Sequence, residues 1–146
     1  VTNDGDEYYA ERAAGEDPTA FTATDGTFTG EMGLATAATT ISKAATYANV
    51  SGSVVASSQF VPDYGPITSG TDGGDNPGTT GVDIVTYRRS YTTGQANSAG
   101  IDVVFLSVAS PTGTDKLISL AQFAASFTKT ASDTLKVYVN HEFTGS

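Results

Sequence analysis

Residues 101–110 (IDVVFLSVAS), 116–130 (KLISLAQFAASFTKT) and 132–143 (SDTLKVYVNHEF) decide the fold. Each run is rich in β-branched, aromatic and small residues, and turn-forming PTGTD (111–115) and TAS (130–132) separate them. The pattern predicts three consecutive strands joined as a meander. Val103-Val104-Phe105-Leu106 is apolar at both parities, as in a central strand covered on each side. The last run alternates cleanly. Leu135, Val137, Val139 and Phe143 share one face, while Lys136, Tyr138, Asn140 and Glu142 share the other, which is left for solvent or a neighbour.

Working outward, 146 residues with 38% hydrophobic content make one domain with a buriable core. Sixteen Gly, five Pro and abundant Thr and Ser disfavour a helical bundle and favour short strands with many turns. The fold class expected is all-β, an antiparallel β-sandwich of jelly-roll or Ig-like type with a short N-terminal helix, as a single domain over 1–146. Thr2-Asn3-Asp4-Gly5-Asp6-Glu7 carries a capping side chain and first-turn carboxylates, so residues 1–18 are read as a helical segment with its helix near 4–14. Tyr8, Tyr9, Ala10, Ala13 and Ala14 give it an apolar face, and Gly15 and Pro18 close it.

Residues 19–34 read as a hairpin around Asp25-Gly26, with Phe21, Ala23 and Phe28 pointing inward. Residues 35–49 mix Ala with Thr and fit either a helix or an irregular connection. VSGSVVASSQFV at 50–61 reads as a long strand paired with VDIVTYRRSYTT at 82–93. Between them, residues 62–81 are so rich in Gly, Pro, Asp and Thr that they read as a long loop without strand or helix.

The net charge of −9 argues against nucleic acid, whose binding draws on Lys and Arg neutralising phosphates. Residues 1–34 hold eight carboxylates (Asp4, Asp6, Glu7, Glu11, Glu16, Asp17, Asp25, Glu31) against Arg12 alone, a net −7. This excess fits a solvated face, a patch recruiting cations or a basic partner, or adaptation to high salt. Cysteine is absent, which excludes disulfides and thiolate chemistry. No apolar run approaches a bilayer span and no basic-then-apolar leader precedes the fold, so a soluble chain without membrane contact is expected. The first residue is Val1, not Met, which suggests processing or an alternative start.

Candidate chemistry is sparse. His141 is the lone histidine, and strand parity sets it beside Val139 and Phe143; no G-x-S-x-G elbow supplies a nucleophile for it. Asp63, Asp72 and Asp75 offer hard oxygen ligands for a structural Ca²⁺, without EF-hand spacing and in ordinary turn contexts. No catalytic residue and no cofactor is called for. Tyr87, Arg88, Arg89 and Tyr91 are the interface candidates, since Arg and Tyr are enriched at interface anchors; successive strand positions send the two arginines to opposite faces.

NDGDEYYAERAAGE (3–16) and FTKTASDTLKVYVNHEF (127–143) resemble small virion structural proteins of tailed bacterial and archaeal viruses. The haloarchaeal members, acidic and lysine-poor, are the closest in character. Such proteins often carry a Gly-Thr-Gly-Thr run after the first strand, where this chain has TDGTFTGEMGLATAATT at 24–40. The resemblance implies a non-enzymatic capsid decoration, turret, collar or tail component on the particle surface. It also implies a symmetric homo-oligomer in contact with the major capsid protein or other virion proteins, the acidic N-terminal region docking a basic or cation-bridged surface. A cell-surface adhesion module binding carbohydrate or protein through the 62–81 loop is the alternative.

Overall fold

The computed structural model describes residues 1–16, 30–55, 66–67, 84–108 and 111–142. Among these the protein is mostly strand: helix α1 (Asn3–Ala13) precedes β1 (Glu31–Ala35), β2 (Pro66–Ile67), β3 (Ile84–Tyr91), β4 (Ser98–Ser107), β5 (Leu117–Lys129) and β6 (Leu135–Glu142). They form two antiparallel sheets, ordered β1-β4-β5 and β2-β3-β6.

β4 is central in the first sheet, and its side chains divide between two buried clusters. Ile101, Val104 and Leu106 join Met32, Leu34 and Ile118 in one cluster, which also holds Tyr87, Tyr91, Val137 and Val139 from the second sheet and Tyr8 from α1. Val103 and Phe105 point the other way, into a cluster with Leu117, Leu120, Ala45 and Val50. A hydrogen bond crosses between the sheets inside the first cluster, where the Tyr91 hydroxyl donates to the Met32 carbonyl at 2.9 Å.

The predicted meander holds for β4 and β5 and fails at β6. Instead of lying beside β5, β6 pairs with β3 from Ile84↔Glu142 to Tyr91↔Leu135. Both neighbouring positions of β4 are already filled, by β1 and β5, and its Ile101, Val104 and Leu106 face still needs a cover. That cover comes from the inward residues of β3 and β6. The alternation predicted for the last strand is present, with Val137 and Val139 buried and Lys136 and Asn140 exposed.

Two further expectations are corrected. The strand predicted over 50–61 is, in its described part, a turn at Ser51–Ser53 followed by a single bridge between Val54 and Ala35, and β3 takes β2 and β6 as partners. The Ser53 hydroxyl donates to the Val50 carbonyl at 3.1 Å, and this local bonding by serine competes with a ladder. Pro66–Ile67 form a short strand inside the region read as loop; Pro66 opens an edge strand, where its missing N–H costs no ladder bond. The rest of the 62–81 loop and the Asp25-Gly26 hairpin lie outside the described residues. Residues 35–49 resolve as an irregular connection with one 3-10 turn at Tyr47–Asn49, and they cover the second face of β4.

Threonine closes four turns in one way. In Thr46–Asn49, Thr92–Gln95, Thr112–Asp115 and Thr130–Asp133, the threonine amide donates to the fourth residue's side-chain oxygen at 2.7–2.9 Å. The fourth residue's amide returns to the threonine carbonyl. At the last turn the Thr130 hydroxyl and amide hold the Asp133 carboxyl below the usual carboxylate range.

Helix α1 begins where the cap signal places it. The Thr2 side chain accepts from the Gly5 amide at 3.1 Å, while the Thr2 amide donates to the Ile118 carbonyl at 3.0 Å. The helix therefore starts against the first residues of β5, so close that a Cβ on Gly5 would overlap the Ile118 carbonyl. Gly5→Ala is expected to lower stability by about 1–3 kcal/mol in urea denaturation, despite the ~1 kcal/mol that Ala gains over Gly in a helix. Gly52→Ala, where an added Cβ meets nothing within 4 Å, is expected to change the midpoint little.

Candidate functional site

Two buried polar side chains, His141 and Arg89, lie on the inward face of the β3–β6 pair. The surroundings of the first are built by α1, β3 and β6. Tyr87 and His141 sit on the buried parity of their strands, and α1 lays Tyr8 and Tyr9 across them. The Tyr9 hydroxyl bonds the Tyr87 hydroxyl at 3.1 Å and also contacts His141 Nδ1. The rings enclose the imidazole, Tyr9 edge-on at 5.6 Å and Tyr87 tilted at 5.5 Å, with Tyr8 edge-on to Tyr9 at 5.0 Å. His141 is 5% exposed, and its Nε2 is buried with no hydrogen-bond partner among the described residues.

Burial sets the protonation of this group. It lowers the His141 pKa from 6.5 to about 4, with a smaller contribution from the amino group of Val1. It also pushes the Tyr9 and Tyr87 hydroxyls far above their ordinary range. At neutral pH the cluster is three neutral groups sharing hydrogen bonds. The imidazole partner is a tyrosine hydroxyl, not the serine and aspartate that a hydrolase triad requires.

The second is Arg89. Arg88 is exposed, while Arg89 is 1% exposed, with its guanidinium 4.9 Å from the Tyr91 ring centroid and its Nε and Nη1 without hydrogen-bond partners among the described residues. Burial raises the Tyr91 hydroxyl, and the Arg89 charge opposes that rise. The parity argument separated the two arginines correctly. It did not say which one turns inward, although the signal was present: Arg89 shares its face with Tyr87 and Tyr91. Of the four interface candidates only Arg88 reaches the surface; Tyr87, Arg89 and Tyr91 are buried within the chain itself.

Asp63, Asp72 and Asp75 lie outside the described residues. Among the described residues no three His, Cys, Asp or Glu side chains gather as a metal site, and no helix is long and apolar enough to cross a membrane. The contact of Tyr9 with His141 was not visible in sequence, because 132 residues separate them and only the docking of α1 joins them. In comparisons with known proteins, no family model, curated protein or solved structure matches the chain.

A buried cation without a counter-charge costs stability, and an apolar residue of similar length avoids that cost. Arg89→Met is expected to leave stability within about 1 kcal/mol of the parent or to raise it, whereas Arg89→Ala, which also leaves a cavity, is expected to cost about 2–4 kcal/mol. Thermal and urea unfolding of the two variants, run side by side, checks the pair.

Proposed function

We propose that this chain is a non-enzymatic structural protein of a virus particle, a capsid decoration or turret component of a tailed virus that assembles as a symmetric oligomer. The observation that carries the reading is the use to which the interior puts its reactive side chains. Among the described residues the single histidine, its neighbours Tyr8 and Tyr87 and one of two adjacent arginines are buried, and the half-buried Tyr9 spends its hydroxyl on Tyr87 and His141. What is exposed is different in kind: Asp6, Glu7 and Arg12 on α1, Arg88 on β3, and Lys136 and Asn140 on β6.

The stretches resembling virion structural proteins fall on α1 and on the end of β5 with β6, the elements that dock onto the rest of the fold. We read the two sheets as the layers of a β-sandwich, because one apolar cluster takes residues from both and the Tyr91–Met32 hydrogen bond spans them. On such a body, the exposed Arg88 suits contact with an adjacent subunit, and closed symmetry repeats that contact around a ring.

Native mass spectrometry at micromolar concentration, in low and in molar salt, is expected to give one closed oligomer. Arg88→Glu, a surface change, is expected to weaken its association at least about tenfold, or ~1.4 kcal/mol per contact. A chain that stays monomeric in both salts, with Arg88→Glu indistinguishable from it, sinks the oligomeric virion reading.

A further inference from the structure

The attachments of α1 include three that depend on protonation. Tyr9 contacts His141 Nδ1 through its hydroxyl, Glu7 receives Lys116 Nζ at 2.8 Å, and Asp6 pairs with Lys43. The other attachments are the Thr2 bonds to Leu117 and Ile118, the Asn3 amide to the Lys43 carbonyl, and the burial of Gly5 and Tyr8.

The groups facing the imidazole can be named element by element. From α1 comes the Tyr9 hydroxyl, with Tyr8 behind it; from β3 comes Tyr87; ahead of α1 stands the amino group of Val1. No carboxylate among the described residues faces the ring to stabilise a cation. In the imidazolium both nitrogens carry a proton: Nδ1–H requires the Tyr9 hydroxyl to act as acceptor, and Nε2–H points at no acceptor among the described residues. Either change is relieved when Tyr9 leaves and water reaches the ring.

We propose that α1 is an acid-released latch: a proton taken up by His141 detaches the helix from the β3–β6 pair while the β1-β4-β5 sheet stays folded. Two surface ion pairs, Glu7–Lys116 and Asp6–Lys43, hold the same helix. The sheet holds one buried carboxyl among the described residues, Glu31 on β1. Its central strand is held by Val103, Val104, Phe105 and Leu106, none of which titrates. The inference stands on this cluster and not on any role in a particle.

The sign follows from the imidazole's affinity in the two states. Docked, it binds a proton only near pH 4; undocked, near 6.5. The attachment is therefore fully present above pH 6.5 and weakens as the pH falls toward 4. From His141 alone, the undocking equilibrium constant is expected to rise roughly 100-fold between pH 7 and pH 4.

The test is amide hydrogen exchange on the full chain across that range, corrected for intrinsic exchange, together with NMR titration of the His141 ring. The amides of Tyr8, Tyr9 and Ala10 are expected to lose protection by about two decades while those of Val104 and Phe105 keep theirs, with the His141 midpoint tracking the loss. In His141→Gln most of that dependence is expected to disappear. Loss of protection in α1 and β4 together, or α1 protection unchanged to pH 4, overturns the proposal. So does a His141→Gln chain with the parent's pH dependence. Should His141→Gln not fold, the parent decides alone: coincident imidazole and helix midpoints support the latch, and separate ones overturn it.

Discussion

A strand that carries large apolar side chains at both parities has to be covered twice, and β4 is such a strand. Ile101, Val104 and Leu106 demand one layer and Val103 and Phe105 another, at roughly 25 cal/mol for each Å² of apolar surface withdrawn from water. Much of the topology answers that demand. β1 and β5 satisfy the edges of β4, the second sheet covers one face, and the connection after β1 turns back across the other with Ala45 and Val50. Sequence order bends to this requirement, sending β6 away from β5, its neighbour along the chain, to complete the opposite layer.

Three connections therefore cross between sheets; two are short, β3 to β4 through 92–97 and β5 to β6 through 130–134. One side chain ties these two together. The buried Lys129 amine donates to the Thr92 carbonyl at 3.1 Å and to Asn97 Oδ1 at 3.2 Å, so the end of β5 holds the corner leaving β3. In that corner Gly94 has φ +85° and Ala96 has φ +52°, a left-handed conformation that a non-glycine residue holds only where its surroundings impose it. Ala96 is buried, and the clasp by Lys129 together with the Thr92–Gln95 turn supplies the constraint. The repeated threonine turns have a similar use, since in each a side-chain oxygen satisfies the threonine amide and the fourth residue's amide satisfies the threonine carbonyl.

What was legible in the sequence is what is local. The helix start at Thr2, the double-faced run of 103–106, the alternation of 135–140 and the turns at 112–115 and 130–133 all rest on side chains within a few positions of one another. Pairing was not legible, because which strand lies beside β3 is decided by coverage of a distant face, and alternation is indifferent to the partner. The serine-rich stretch after Val50 looked like strand on its valines, yet its hydroxyls close a turn instead. The intimacy of Gly5 with Ile118 left only a glycine in a helix as its trace, a weak signal in a chain holding sixteen. His141 was placed on its inward parity, but its partner Tyr9 stands at the opposite end of the chain.

Charge and polarity are distributed by a simple rule in this fold. Asp6 and Glu7 of α1 are exposed and pair with Lys43 and Lys116, while groups without charge also anchor the helix: the Thr2 cap, the Gly5 approach and the Tyr8 ring. The mutual repulsion of the acidic residues therefore acts on a helix seated at the edge of β5, not on the strands that form the interior. Salt screens that repulsion within about 10 Å at 0.1 M. Ionic strength consequently bears on how firmly α1 sits more than on β4, whose buried side chains Ile101, Val103, Val104, Phe105 and Leu106 are apolar. An acidic surface and a sheet-based core are thus compatible in one small domain because α1 holds four of its carboxylates outside the strands that form the core.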